Sequence, residues 1–66
     1  MFSRIKRFYP YTVELKTQGA YEYISITKHK EPNKEVVVSP PVYENITAVF
    51  NFMTQEDVIK SWESAT

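Results

Sequence analysis

The sequence predicts an α+β fold: a small antiparallel sheet of three to four strands, with a C-terminal amphipathic helix packed on one face. Two runs of alternating apolar and polar residues meet at Gly19, the only glycine in the chain. Ser39-Pro40-Pro41 then ends the strand region, because proline has no amide hydrogen for a sheet ladder. From Thr54 onward the residues have the pattern of a capped helix with one apolar stripe.

The central hairpin is predicted from strands near 9–17 and 20–28. Its apolar side carries Tyr11, Val13, Leu15, Ile24 and Ile26. A two-residue turn at Gln18-Gly19 is expected, because glycine adopts positive φ without a Cβ clash. This turn places Val13 opposite Ile24, so the apolar sides of both strands coincide, whereas a one-residue slip would separate them.

The polar side of the hairpin is the first candidate binding surface. Two tyrosines lie there among polar side chains: Thr12, Glu14, Lys16, Tyr21 and Tyr23. If nothing covers this side, it is an aromatic patch on a rigid sheet, and protein interfaces use such residues as anchors. The simpler interpretation is that tyrosine favours strands and pairs well across them.

The other strands have weaker signals. Residues 1–8 are predicted to be a packed terminus or a flexible basic arm. A turn at Pro32-Asn33 leads into a short third strand at 35–39. Residues 46–53 fit both an alternating strand and an apolar helical stripe that begins at Val42. Their β-branched and aromatic content favours the strand, and the alternative architecture has three strands and two helices.

The helix is predicted over 54–64. Thr54 is a good N-cap, and Asp57 three residues later supports a capping box. Met53 and Val58 flank this cap as a hydrophobic staple would. Trp62 is expected to seal the helix against the sheet. The predicted core is Tyr11, Val13, Leu15, Ile24, Ile26, Val36, Val38, Phe50, Phe52, Val58, Ile59 and Trp62.

Composition limits the function classes. A chain of 66 residues is expected to form one domain, 1–66, of marginal stability, which packing or homo-oligomerisation can offset. It has no cysteine, so disulfides, thiolates and zinc–cysteine sites are excluded. The net charge is zero, but the charges are unevenly distributed. The residues before Glu35 include seven Lys or Arg and three acidic residues, whereas the residues from Glu35 onward include one Lys and five acidic residues. The sequence has no apolar run of about 20 residues and no signal-peptide pattern. We therefore expect a cytoplasmic location and no membrane association.

Motifs for catalysis are missing from this sequence. His29 is the only histidine, and it is interpreted as a solvated turn residue. With one histidine and no cysteine, the sequence has no ordinary nucleophile–base pair. With one glycine, it has no glycine-rich phosphate loop. We therefore predict no enzyme activity, no cofactor and no metal site. The Asn45-Ile46-Thr47 match to the glycosylation pattern is taken as chance.

Two binding functions remain. The predicted function is a protein-interaction module, an adaptor, inhibitor or small accessory subunit, that uses the tyrosine side of the hairpin. Small cysteine-free proteins without catalytic motifs are often accessory proteins of viruses or mobile elements. The alternative is nucleic-acid binding through the sheet tyrosines and the basic residues Arg4, Lys6, Arg7, Lys28 and Lys30. The neutral net charge and a pI near 6.6 argue against this alternative.

Overall fold

Three two-residue turns divide the first half of the chain into four consecutive antiparallel strands, which pair in the order β1-β2-β3-β4. The computed structural model describes residues 4–65. Its elements are β1 (Ile5–Phe8), β2 (Tyr11–Gln18), β3 (Tyr21–Lys28), β4 (Glu31–Val38), α1 (Ile46–Phe52) and α2 (Gln55–Ser64). The predicted α+β class, with a small antiparallel sheet and a C-terminal helix, is confirmed.

The central hairpin is confirmed, but its predicted register is wrong. The turn is centred on Gly19-Ala20, so Val13 faces Ile26 and Leu15 faces Ile24. Gly19 has φ 63°, and a glycine with positive φ at the first central position is typical of a type II′ hairpin turn. The register error moves each partner by two positions, and this even shift leaves every side chain on its predicted face.

Both outer strands extend beyond their predictions. Ile5–Phe8, expected to lie in a packed terminus or flexible arm, forms β1 and pairs with β2. The Tyr9–Pro10 peptide bond in the β1–β2 turn is cis. The strand predicted at 35–39 is instead Glu31–Val38, and the turn is His29-Lys30 rather than Pro32-Asn33. Pro32 is tolerated because β4 is an edge strand with a local register shift opposite Ile26–Lys28.

The strand predicted at 46–53 is wrong, because Ile46–Phe52 forms helix α1. Asn45 caps its start, and the side-chain oxygen accepts from the backbone amides of Thr47 and Ala48 at 2.9 and 3.2 Å. In this helix Phe50 is buried, whereas Phe52 is 82% exposed and is not in the core. The cap and the packing of Phe50 outweigh the local preference of β-branched and aromatic residues for strands.

Lys6 on β1 supplies the C-terminal cap that α1 lacks in its own sequence, since no basic residue lies in its last turn. Its Nζ donates to the main-chain carbonyls of Phe50, Asn51 and Met53 at 3.2, 3.0 and 2.9 Å. The Phe50 carbonyl also accepts from the Met53 amide at 3.3 Å. Carbonyls at the end of a helix lack i+4 amide partners, and a cation there is also favoured by the helix dipole. One side chain thus joins the first strand to the first helix.

The second helix agrees with the sequence. The Thr54–Asp57 capping box is present, and the buried residues Met53 and Val58 flank it. The Trp62 side chain is 5% exposed and contacts Tyr11 edge-on, with ring centroids 5.7 Å apart. The buried core contains Val13, Leu15, Ile24, Ile26, Val36, Phe50, Met53, Val58 and Trp62. Tyr11 and Val38 pack against it. Both helices therefore cover the same face of the sheet.

Neither helix in residues 4–65 is long and apolar enough to cross a membrane.

Candidate binding surfaces of the sheet

One face of the sheet lies opposite both helices, and we call it the open face. Side chains alternate along a strand, so the strand residues between the core positions point to this side. The structure places all five residues of the predicted protein-binding surface on it, namely Thr12, Glu14, Lys16, Tyr21 and Tyr23. The corrected register brings Lys16 opposite Tyr23 and Glu14 opposite Ser25.

Tyr21 and Tyr23 form a stacked pair near the β2–β3 turn. Their ring centroids are 6.1 Å apart and the planes differ by 25°. The Tyr21 hydroxyl lies 2.8 Å from Ser39 Oγ, which fixes the outer ring against the end of β4. Tyr21 is 54% exposed, and Val37 beside the pair is 51% exposed. The pair and Val37 line a shallow groove of about 290 Å³ and form an ordered apolar surface.

A polar network spans three strands beside this groove. The Glu35 carboxylate on β4 accepts hydrogen bonds from Ser25 Oγ on β3 and from Lys16 Nζ on β2, the latter at 3.1 Å. The Ser25 hydroxyl lowers the pKa of the Glu35 carboxyl below its usual value, and Lys16 lowers it further. The hydrogen bond to Glu35 and its negative charge raise the pKa of Lys16. The network therefore pairs the charges of Lys16 and Glu35 on the open face.

Acidification is expected to remove the contribution of this network to stability. Because the pKa of Glu35 is lower in the folded chain, its contribution to the free energy of unfolding is fully present above the unfolded pKa of about 4.3. The contribution is lost as the pH falls through the folded pKa. Urea unfolding of the E35Q variant should show a shallower loss of stability below about pH 5 than the wild type. Superimposable pH profiles would contradict the network.

The structure divides the predicted basic set into two groups. Arg4 supports the fold, since its Nε donates to the Leu15 carbonyl at 3.2 Å and its Nη2 to Thr17 Oγ1 at 3.0 Å. It also lies 3.5 Å from a Glu22 carboxylate oxygen. Lys6 caps α1. Both cations therefore already have partners within the chain.

The remaining basic residues meet at one end of the sheet, in a cleft that we call the basic cleft. It has a volume of about 660 Å³ and is lined by Arg7, Tyr9, Pro10, Tyr11, Thr12, Thr27, Lys28, His29, Lys30 and Pro32. The β1–β2 and β3–β4 turns border it, and the His29 amide donates to the Pro10 carbonyl across them at 2.7 Å. Tyr9 is 77% exposed, and its ring centroid lies 5.7 Å from that of His29.

Sequence reasoning missed Glu35, Val37 and Tyr9 as surface residues. The sequence predicts that Val36 and Val38 lie beside Ile24 and Ile26, and the structure confirms this. No local pattern connects the Glu35 side chain with Ser25 or Lys16. Tyr9 joins the cleft only because β1 exists and brings its turn beside the β3–β4 turn. Three turns that follow one another at ten-residue intervals are the one signal in the sequence that points to this arrangement.

No protein-family model, curated protein or solved structure matches this chain. Within residues 4–65, no group of three or more His, Asp or Glu side chains is placed to hold a metal ion. The described surface does offer two regions of different chemistry. One is the near-neutral region around Tyr21 and Tyr23, and the other is the basic cleft at the opposite end of the sheet.

Proposed function

We propose that this protein is a non-catalytic interaction module, an adaptor, inhibitor or small accessory subunit, that binds a protein partner through the open face. The observation that carries the proposal is the stacked Tyr21–Tyr23 pair, which lies exposed on the side of the sheet opposite both helices. Tyrosine is enriched among the few residues that supply most of the binding energy at protein interfaces.

The surroundings of the pair support this assignment. Val37 adds apolar area to the tyrosine rings, while the Lys16–Glu35 ion pair provides a polar border. Protein interfaces have this arrangement, with apolar anchors at the centre and hydrogen-bonding groups at the rim. The complementary partner has an apolar patch for the rings and polar groups that face Lys16 and Glu35.

The rigidity of the open face favours binding. Each tyrosine has only two side-chain torsions, and stacking together with the Tyr21–Ser39 hydrogen bond already restricts them. The pair lies on β3, an interior strand that is paired on both sides. Little side-chain or backbone entropy therefore remains to be lost when a partner binds.

Capture of a partner from host extract, with and without nuclease, tests the proposal. The wild-type bait should retain a protein regardless of nuclease, and the same protein should be reduced at least about tenfold with the Y21S/Y23S bait, equivalent to about 1.4 kcal/mol. The matched control is Y43S, because Tyr43 is 84% exposed and lies in the connection between β4 and α1. It should retain the partner at the wild-type level.

Circular dichroism of each bait separates lost binding from lost folding. Tyr21 is half exposed, so the single variant Y21S should keep the wild-type melting profile and still bind more weakly. A partner that Y21S/Y23S retains as well as the wild type does would overturn the assignment of this surface.

A further inference from the structure

We infer that the basic cleft binds a short segment of single-stranded nucleic acid, with Arg7 and Lys30 on its phosphates and Tyr9 stacked on a base. The cleft shares Thr12 with the open face, but it is centred on two turns away from the Tyr21–Tyr23 pair. The two turns that border it lie at one end of the sheet, whereas Tyr21 follows the β2–β3 turn at the other end.

The charge of the cleft favours an anionic ligand. Three cationic side chains line it, and no carboxylate does. Lys28 is partly neutralised, because its Nζ lies 3.4 Å from Glu31 and also faces the ring of Tyr11 at 5.5 Å. Within residues 4–65, Arg7 and Lys30 are exposed and take part in none of the four ion pairs. These two therefore contribute most to phosphate binding.

The aromatic residues identify the class of anion. An acidic peptide would pair with the cationic side chains, but its carboxylates would make no stacking contact with the Tyr9 ring. The bases of a single strand have accessible π-faces and stack on exposed aromatic side chains, whereas the bases of a duplex are stacked on one another. Tyr9 is the most exposed aromatic residue of the cleft, and the His29 ring lies beside it.

The cleft is also ordered enough to hold a ligand. The His29–Pro10 backbone hydrogen bond ties its two turns together. Lys30 has φ 73°, a left-handed conformation that most L-residues avoid, and it lines the cleft. The volume of about 660 Å³ lies within the range of roughly 300–1,000 Å³ that is usual for small-ligand sites.

Fluorescence anisotropy with labelled oligothymidine and oligouridine of about 10 nucleotides tests this inference. Binding through Arg7 and Lys30, with a smaller contribution from Lys28, should weaken about sevenfold or more between about 50 and about 200 mM salt. R7Q and K30Q should each weaken binding about fivefold, and Y9S should weaken it by a similar factor. The control K60Q removes the same charge from the exposed side of α2 and should stay within about twofold of the wild type.

Several results would overturn the inference. The inference fails if neither oligonucleotide binds, if R7Q and K60Q lose the same amount of affinity, or if Y9S binds as tightly as the wild type. An oligoglutamate peptide that displaces the oligonucleotide at the same concentration as an unlabelled single strand would show that the cleft recognises charge alone. Arg7, Tyr9 and Lys30 are all exposed, so these variants should keep the wild-type circular dichroism spectrum.

Capture of the protein partner should be unchanged in R7Q and K30Q.

Discussion

Replacing Phe50 with alanine is expected to lower the free energy of unfolding by about 3–5 kcal/mol. Phe50 is 2% exposed and is one of the largest fully buried side chains in a core that also includes residues of the sheet and of α2. A chain of this length has a total stability of roughly 3–10 kcal/mol, so the F50A substitution should remove about a third or more of it. Urea unfolding followed by circular dichroism measures the difference.

Phe52 provides the matched control for Phe50, with the same side chain two residues later in the same helix. It is 82% exposed, so F52A should change the free energy of unfolding by no more than about 0.5 kcal/mol. A strand over 46–53 would place both rings on one face and make both variants costly. Similar losses in F50A and F52A would therefore contradict helix α1.

The second large effect is expected at Lys6. The K6M variant keeps the length of the side chain but removes the hydrogen bonds from Nζ to the carbonyls of Phe50, Asn51 and Met53. Hydrogen bonds from a charged donor contribute about 1.5–3 kcal/mol, so a loss of about 2 kcal/mol in the free energy of unfolding is expected. For a domain of this size, this corresponds to a melting temperature about 8–16 °C lower.

The control for Lys6 is K60M on α2. Lys60 forms only an exposed ion pair with Glu56 at 3.1 Å, so K60M should cost less than about 1 kcal/mol. If K6M were as stable as K60M, the carbonyls at the end of α1 would be satisfied by water and Lys6 would have no structural role.

The sequence predicted the parts of the fold that local patterns determine. The hairpin of β2 and β3 follows from alternation and the single glycine, and α2 follows from Thr54, Asp57 and the apolar stripe. The composition of the open face was correct although the register was wrong. A shift of two residues preserves the period-two alternation, so Tyr21 and Tyr23 stayed on the polar side.

The elements that were missed depend on each other across the chain. Lys6 lies 44 to 47 residues before the carbonyls that it caps, so neither β1 nor the C-terminal end of α1 has a complete local signal. Asn45 is a local helix-start signal, but it also begins the glycosylation pattern Asn45-Ile46-Thr47, which hides this role. Local strand preference over Ile46–Phe52 then decided the prediction, and the tertiary contacts of Phe50 reversed it.

The two candidate sites also differ in how far local sequence patterns predict them. The Tyr21–Tyr23 pair lies within one strand, so alternation was sufficient to place it. The basic cleft joins turns from two hairpins, and its cations could be separated from Arg4 and Lys6 only by the contacts of each side chain. The sequence identifies the basic residues of the first half of the chain. Only the tertiary structure separates those that support the fold from those that line the cleft.

The most direct test of the open face as the protein-binding surface is site-specific photo-crosslinking to the captured partner. A photoreactive residue replaces Val37, which is 51% exposed on the open face, or Phe52, which is 82% exposed on the helical side. We expect the partner to crosslink from position 37 and to give only background from position 52. Crosslinking from position 52 without crosslinking from position 37 would contradict the account.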